Sequence, residues 1–361
     1  MDRIKVLIVT SSLGGGGAER SAALLSILLA DAGYQVHIAS VLDDIQYDYK
    51  GELLNLGALK KADDSKLGRL NRLLVLRNYL RKHDFDWVID NRTRTVTWSE
   101  WIIARWIYPA RKTIWVVRNF KISDYFPANA ALARRIYRKA PYIVAVSEEA
   151  AENVRKTFGY RNVVTIYNPA ANDAILAMAA EAQIPGKFIL SYGRLHDESK
   201  NLSLLIDSYA KSSLPERQIL LYIMGDGADL EMLRQRAAAV RLSDRIVFIP
   251  KQQNPFPYVK SALFTVLSSR YEGFPRVVIE SLAIGTPVVS VDCSSGPKEI
   301  IQHEKNGLLV ENDNPDALAH AMDRLAEDHN LYHICKANAQ KSIAHLSPEN
   351  ILKEWNSILK K

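Results

Sequence analysis

The sequence predicts an α/β protein built from two doubly wound parallel-sheet domains. Three observations carry that reading. The chain has 361 residues, too many for one ordinary core and enough for two. Short apolar runs alternate with helix-period segments almost throughout, the pattern of parallel strands covered by helices on both faces. The alternation also comes in two series, separated by an alanine-rich stretch over 169–187 that ends in Ile184-Pro-Gly-Lys187.

In the first series, strands are expected at 5–10, 35–41, 87–90, 113–118, 142–146 and 163–167, with helices over 18–32 and 67–82. The second places strands at 187–192, 218–224, 245–249, 263–267 and 287–291. Residues 349–361 have the period of a lone amphipathic helix. The domains are therefore drawn at 1–175 and 176–345, with 346–361 a terminal helix returning towards the first. Ligands of open α/β sheets bind beyond the carboxyl ends of the strands, so the active site is expected in a cleft faced by both domains.

Composition narrows the class. Hydrophobic residues make up 48% and charged residues 24%, as in soluble globular enzymes. No apolar run approaches the roughly 20 residues that span a bilayer. The first residues read as a strand entering a glycine loop, not as a signal peptide. Cys293 and Cys335 form neither a metal-ligand pair nor a disulfide framework, and the cytoplasm is the expected compartment. The net charge of +7 is uneven: residues 1–180 hold 26 Lys+Arg against 18 Asp+Glu, and the remainder 21 against 22. A basic half suits an anionic surface or substrate, although a solubilising surface would look the same.

Four segments can carry chemistry. Ser11-Ser-Leu-Gly14-Gly-Gly16-Gly17-Ala-Glu19-Arg20 joins the first strand to the first helix, where glycines admit a ligand to the backbone and the helix N-terminus favours an anion. The Gly-x-Gly-x-x-Gly dinucleotide fingerprint fails, because its last position is Glu19 or Arg20, and no Gly-Lys-Ser/Thr ending marks a triphosphate loop. After the first strand of the second series come Gly193, Arg194 and Lys200. Two cations at a strand's carboxyl end can hold a diphosphate, arginine through its planar fork and lysine as a point charge; a solvated loop is the plainer reading. Gly225-Asp226-Gly227 makes a glycine turn before a helix, with Asp226 expected as its cap.

The most informative segment is Glu272-Gly273-Phe274-Pro275-Arg276-Val-Val-Ile-Glu280. Proline at the first helical position pre-sets the helix start, leaving Glu272 and Gly273 in the preceding loop. Glu280 falls among Val277, Val278, Ile279 and Leu282. If buried there it needs a partner, which a vicinal diol would supply; the alternative is an exposed carboxylate.

The Glu-x7-Glu spacing with Gly-Phe-Pro inside resembles the retaining glycosyltransferases of family 4, whose fold is GT-B, two Rossmann-like domains facing a cleft. The likeness covers nearly the whole chain, in order: Gly16-Gly17, Gly193-Arg194 with Lys200, Gly225-Asp226-Gly227, Glu272 with Glu280, and Gly285-Thr-Pro287. It implies that Arg194 and Lys200 bind the donor diphosphate and Glu280 its ribose. Glu272 and the Gly273-Phe274-Pro275 loop would touch the transferred sugar, with the base near Lys251 and Gln252. Gly16, Gly17, Gly193 and Gly225 complete the implied donor site. The reaction implied keeps the anomeric configuration and needs no metal or other cofactor. The leaving phosphate takes the acceptor's proton, which fits the lack of a hydrolase-like nucleophile. The donor expected by family habit is a UDP-linked hexose or N-acetylhexosamine, and the acceptor a glycan or lipid-linked glycan of cell-surface polysaccharide synthesis.

Two departures stand out. Arg194 and Lys200 are six apart where five is commoner, and Arg118-Asn119 stands where many relatives carry a histidine. Asn119 can hydrogen-bond a sugar but cannot act as an acid or base, so the implied catalytic set is Arg194, Lys200, Glu272 and Asn119. Asp84-Phe-Asp86 spells a metal-binding Asp-x-Asp of another glycosyltransferase fold, but precedes its strand where that motif ends one.

The basic half concentrates Arg69, Arg72, Arg77 and Arg81 on one helical stretch and Arg134, Arg135 and Arg138 on another, with the aromatic run Trp98 to Tyr108 between them. Basic amphipathic helices with aromatics suit an anionic membrane, so these arginines are expected at an acceptor or membrane surface on the inner face of the cytoplasmic membrane. Core packing would explain the leucines, and the tryptophans, equally well. No nucleic-acid module accompanies the charge. The rival readings are a sugar-nucleotide epimerase on the same fold, a nicotinamide oxidoreductase, and a glycan-binding protein without turnover.

Overall fold

A computed structural model describes residues 3–170 and 173–361. The chain divides into two compact units, Met1–Asn168 with Ile351–Lys361, and Pro169–Asn350. Within the stretch 169–187, residues 171 and 172 lie outside the described residues.

In the first unit the described strands are β1 (Lys5–Thr10), β2 (Gln35–Ser40), β3 (Glu52–Asn55), β4 (Trp87–Asp90), β5 (Thr113–Val117), β6 (Tyr142–Ala145) and β7 (Val163–Thr165). They form one parallel sheet in the order β3-β2-β1-β4-β5-β6-β7. Val6, Leu7, Ile8 and Val9 are fully buried because helices cover both faces of a parallel sheet. The order reverses between β1 and β4, the switch point beyond which such sheets bind ligands. The helix Pro348–Leu359 belongs to this unit through residues 351–359: Tyr34 donates to Asn356 and the Trp87 indole to the Leu359 carbonyl.

The second unit contains β8 (Phe188–Tyr192), β9 (Leu220–Met224), β10 (Ile246–Ile249), β11 (Thr265–Leu267), β12 (Val288–Val291) and β13 (Gly307–Val310). They form a parallel sheet in the order β10-β9-β8-β11-β12-β13, with the switch point between β8 and β11. Both sheets contain a strand the periodicity did not show, β3 and β13. Each is a four-residue edge strand only partly buried.

The first unit's interior also holds charges. Asp90 and Glu100 are buried, and Arg92 joins them, its Nη2 2.7 Å from Asp90 and 3.2 Å from Glu100. Burial pushes the Glu100 carboxyl's pKa up, opposed by Arg92. Arg94, also buried, sits among Trp115, Tyr125, Phe126 and Tyr137 and donates to the carbonyls of Tyr125 and Val116. Asp84 and Asp86 are used locally: Asp84 ends the helix Lys66–His83 and pairs with Lys112, and Asp86 accepts from the Lys5 backbone.

Candidate functional site

The second unit gathers its candidate residues at the switch point between β8 and β11. Following β8, the segment after Arg194 closes as a single helical turn, Asp197–Lys200, not as an open solvated loop. It is tied to the end of β11: Ser268 Oγ donates to the Lys200 carbonyl (3.0 Å), and Arg270 donates to the carbonyls of Ser199 through its backbone (2.9 Å) and Asp197 through its side chain (2.6 Å). These bonds fix Lys200 over the loop that follows β11. Its ammonium donates to Glu272 Oε1 at 2.6 Å, and Ser269 Oγ donates to the same oxygen at 2.7 Å. Arg194 is exposed at the end of β8.

The Glu272 loop is itself held from behind. The Glu272 N–H donates to the Ser294 carbonyl (3.1 Å), and Ser295 Oγ to the Gly273 carbonyl (2.7 Å). Gly296, at φ 98°, lets this support approach so closely that a Cβ there would meet Pro275 Cδ at 2.5 Å. Helix Arg276–Ile284 starts one residue later than the sequence implies: Pro275 is its N-cap, with extended ψ of 108°. Its carbonyl accepts from the Val278 N–H at 3.1 Å.

Glu280 is buried, 2% exposed. Of the two sequence alternatives the exposed one is overturned. Its Oε1 accepts from Arg276 Nε (3.2 Å) and Nη2 (3.0 Å), one helical turn earlier. Its Oε2 accepts from the Tyr192 hydroxyl at 3.3 Å, which also reaches the Val277 carbonyl at 3.1 Å. Tyr192 is the last residue of β8, so Glu280 is anchored two residues before Arg194.

The glycine turn Gly225-Asp226-Gly227 packs backbone to backbone against Gly193-Arg194-Leu195. A Cβ on Gly225 would lie 1.8 Å from the Gly193 carbonyl, and one on Gly227 2.0 Å from that of Leu195. The Leu195 N–H donates to the Asp226 carbonyl at 2.9 Å. Asp226 is not the helix cap expected of it: the following helix, Leu230–Ala239, is preceded by Asp229, and the Asp226 carboxylate accepts from the Lys251 N–H at 3.2 Å. That bond brings the loop after β10, with Lys251 and Gln252, to this end of the sheet. The Gln252 side chain bonds the Pro250 carbonyl.

In the first unit, Gly16 is the N-cap and Gly17 the first residue of helix Gly17–Asp31, after β1. Gly14 passes so close to Asp44 that a Cβ would meet its carboxylate at 2.5 Å. Beyond β5, Arg118 donates to Asn91 Oδ1 (2.7 and 2.9 Å) and Asn168 Oδ1 (2.7 Å). Asn119 follows, partly exposed, its side chain 3.4 Å from the Lys121 N–H.

Of the basic residues, Arg69, Arg81, Arg134, Arg135 and Arg138 are exposed and Arg77 is half-buried. Arg72 is a correction: its side chain is 12% exposed and bonded to the Asp63 carbonyl and Asp64, so it serves the fold before any surface. Sequence reasoning passed over Ser269, Tyr192, Arg276 and the Ser294–Gly296 support. Only Arg276 left a signal, its i,i+4 spacing to Glu280.

Known proteins resemble this chain over both units. The family model described as Glycosyltransferase Family 4 matches residues 15–171, and that of Glycosyl transferases group 1 matches residues 179–342. An uncharacterized glycosyltransferase of Haemophilus influenzae is 26% identical over 95% of this chain and 96% of its own length. The N-acetylgalactosamine-N,N'-diacetylbacillosaminyl-diphospho-undecaprenol 4-alpha-N-acetylgalactosaminyltransferase of Campylobacter jejuni is 28% identical over 93% of this chain and 94% of its own. Among solved structures, Anabaena HepE in complex with UDP-glucose superposes with a TM-score of 0.78 at 18% identity, covering 99% of this chain and 100% of that one. TarM superposes at 0.81 and 14% identity, covering 100% and 99%. With the two parallel sheets and their ordered motifs, these matches show that the chain belongs to the group 1, family 4 glycosyltransferases of the GT-B fold.

Proposed function

We propose that this glycosyltransferase is retaining and metal-independent, and that it moves a hexose or N-acetylhexosamine from a UDP-linked donor to a lipid-linked glycan. The observation that carries the reading is the constellation at the β8–β11 switch point, where Lys200, Glu272 and Ser269 are joined by short hydrogen bonds. In this reading Arg194 and Lys200 neutralise the departing nucleoside diphosphate, the task a metal performs in other enzymes. Glu280, held by Tyr192 and Arg276, receives the ribose hydroxyls. Glu272 and the Gly273-Phe274-Pro275 loop take the sugar. The acceptor hydroxyl attacks C1 on the face the diphosphate leaves, the C1–O bond to phosphate breaks, and a phosphate oxygen takes the hydroxyl proton. Asn119 is a positioning group here, since an amide neither gives nor takes that proton.

The UDP preference is supported by neighbours solved with UDP or UDP-glucose, and the lipid-linked acceptor by the diphospho-undecaprenol substrate in the Campylobacter relative's name. The basic first unit fits work at the inner face of the cytoplasmic membrane, and no described helix is long and apolar enough to cross one. Thermal unfolding with UDP, GDP and their sugars tests the donor, because a ligand of the native state raises the midpoint by mass action. Stabilisation by GDP alone would overturn the UDP assignment. Conversion of the donor sugar without any acceptor would favour the epimerase instead.

A further inference from the structure

The sequence left the tryptophans between Trp98 and Trp106 open to core packing, and the structure turns three outward. Trp98 and Trp106 are each 59% exposed and Trp101 42%. On the helix Lys66–His83, Leu67, Leu70 and Leu74 repeat at spacings of three and four, one face of a helix, and all are exposed. These six and Val96 make up half of the exposed large apolar side chains among the described residues. The helix Lys66–His83 packs against Ile103–Ile107, the stretch that carries Trp106, and the two share a core: Leu76 and Leu80 from one, Ile103 and Ala104 from the other. Their inner faces are therefore satisfied, and the outer apolar residues are surplus to folding.

The segment bearing the tryptophans is anchored to its own unit. Helix Thr97–Ile102 is pinned by buried Glu100 to Arg92 and runs into a π-turn, Ile103–Ile107, closed by the Tyr108 N–H on the Ile103 carbonyl at 2.9 Å. π-turns within helices recur at functional sites. The charge around the apolar groups is mainly positive, with Asp63 and Asp64 confined to the N-terminal end of the helix, where Asp64 pairs with Arg72. Lys66, Arg69, Arg81 and Arg105 are exposed, whereas Lys66–His83 contains no acid and Thr97–Ile107 only buried Glu100. Pairing this face with a second copy would set cations against cations. Exposed tryptophans and leucines rimmed by arginines match the boundary of an anionic bilayer, where indoles lie at headgroup depth and cations meet lipid phosphates.

We infer that this face, built from Leu67, Leu70, Leu74, Trp98, Trp101 and Trp106, seats the first unit on an anionic lipid surface by inserting its apolar side chains. The inference deepens the membrane-peripheral reading above and rests on it. It is tested by sedimenting the full chain with vesicles of phosphatidylglycerol mixed with phosphatidylcholine and with phosphatidylcholine alone. The native chain should partition onto the anionic vesicles with a blue shift of tryptophan emission. The double variant Trp98→Ser with Trp106→Ser should bind at least ~10-fold more weakly, as should Leu67→Ser with Leu70→Ser, with unfolding midpoints and UDP-induced stabilisation unchanged. Equal binding by native chain and both variants would overturn this face while leaving membrane association standing. Failure of the native chain to bind any vesicle would overturn both, and a native dimer that the tryptophan variant dissolves would assign the face to a second copy.

Discussion

The ammonium of Lys200 lies 2.6 Å from Glu272 Oε1, joining two loops that leave adjacent strands on opposite sides of the switch point. The pair is partly open, with the Lys200 side chain 31% exposed, so its contribution to stability is small, at most about 1 kcal/mol. Its proposed use is on the substrate. Lys200→Ala is therefore expected to lower kcat by roughly 100-fold or more while the unfolding midpoint stays within a few degrees. A variant with native kcat would remove Lys200 from the mechanism.

Glu280 combines a structural and a binding role that a double variant separates. Glu280→Ala leaves Arg276 in a buried site without its carboxylate, which costs about 3–5 kcal/mol. Removing both charges in Glu280→Ala/Arg276→Ala should restore part of that stability but none of the UDP affinity. Urea unfolding and nucleotide titration read the two effects. Recovery of UDP binding by the double variant would show that the ribose is held elsewhere.

Gly193 and Gly225 both have positive φ, 143° and 152°, yet their surroundings differ. Alanine at Gly193 meets no atom within 4 Å, whereas at Gly225 it strikes the Gly193 carbonyl at 1.8 Å. Gly225→Ala should therefore destabilise more than Gly193→Ala, by at least about 1–3 kcal/mol. The reverse order in chemical denaturation would contradict the backbone packing described for these turns.

His37 is 1% exposed, with Tyr79 Oη 2.6 Å from its Nδ1. Burial lowers its pKa below the usual histidine value, and Glu52 opposes the shift only in part. The folded state therefore prefers neutral imidazole. The stability this provides is complete above the unfolded value of about 6.5 and is lost as pH falls through the lowered folded value. Melting curves from pH 7.5 down to about 5 should show a shallower fall for His37→Phe, whose ring suits the neighbouring Tyr79 and Phe85. Parallel falls for the two proteins would clear His37 of this role.

Arg92 bridges two buried carboxylates, Asp90 and Glu100. Arg92→Ala leaves both without it, and a loss of about 3–5 kcal/mol is expected in urea unfolding. A loss under about 1 kcal/mol would mean that the network contributes little net stability.

Local pattern was enough to read the two parallel sheets, the long helices at 17–31 and 66–83, and the ordered motifs from Gly16 to Glu280. Alternating apolar runs, glycine turns and fixed spacings are local properties, and they survive without any knowledge of what packs where. Tertiary structure alone decided the partners. Arg276 and Tyr192 converge on Glu280, and Ser269 joins Lys200 on Glu272. Asp226 serves the Lys251 backbone and caps no helix, and Trp98, Trp101 and Trp106 face outward. Each outcome depends on which distant segments meet at a strand end or leave a face uncovered, and the 3.6- and 2-residue periods of the chain carry no record of that.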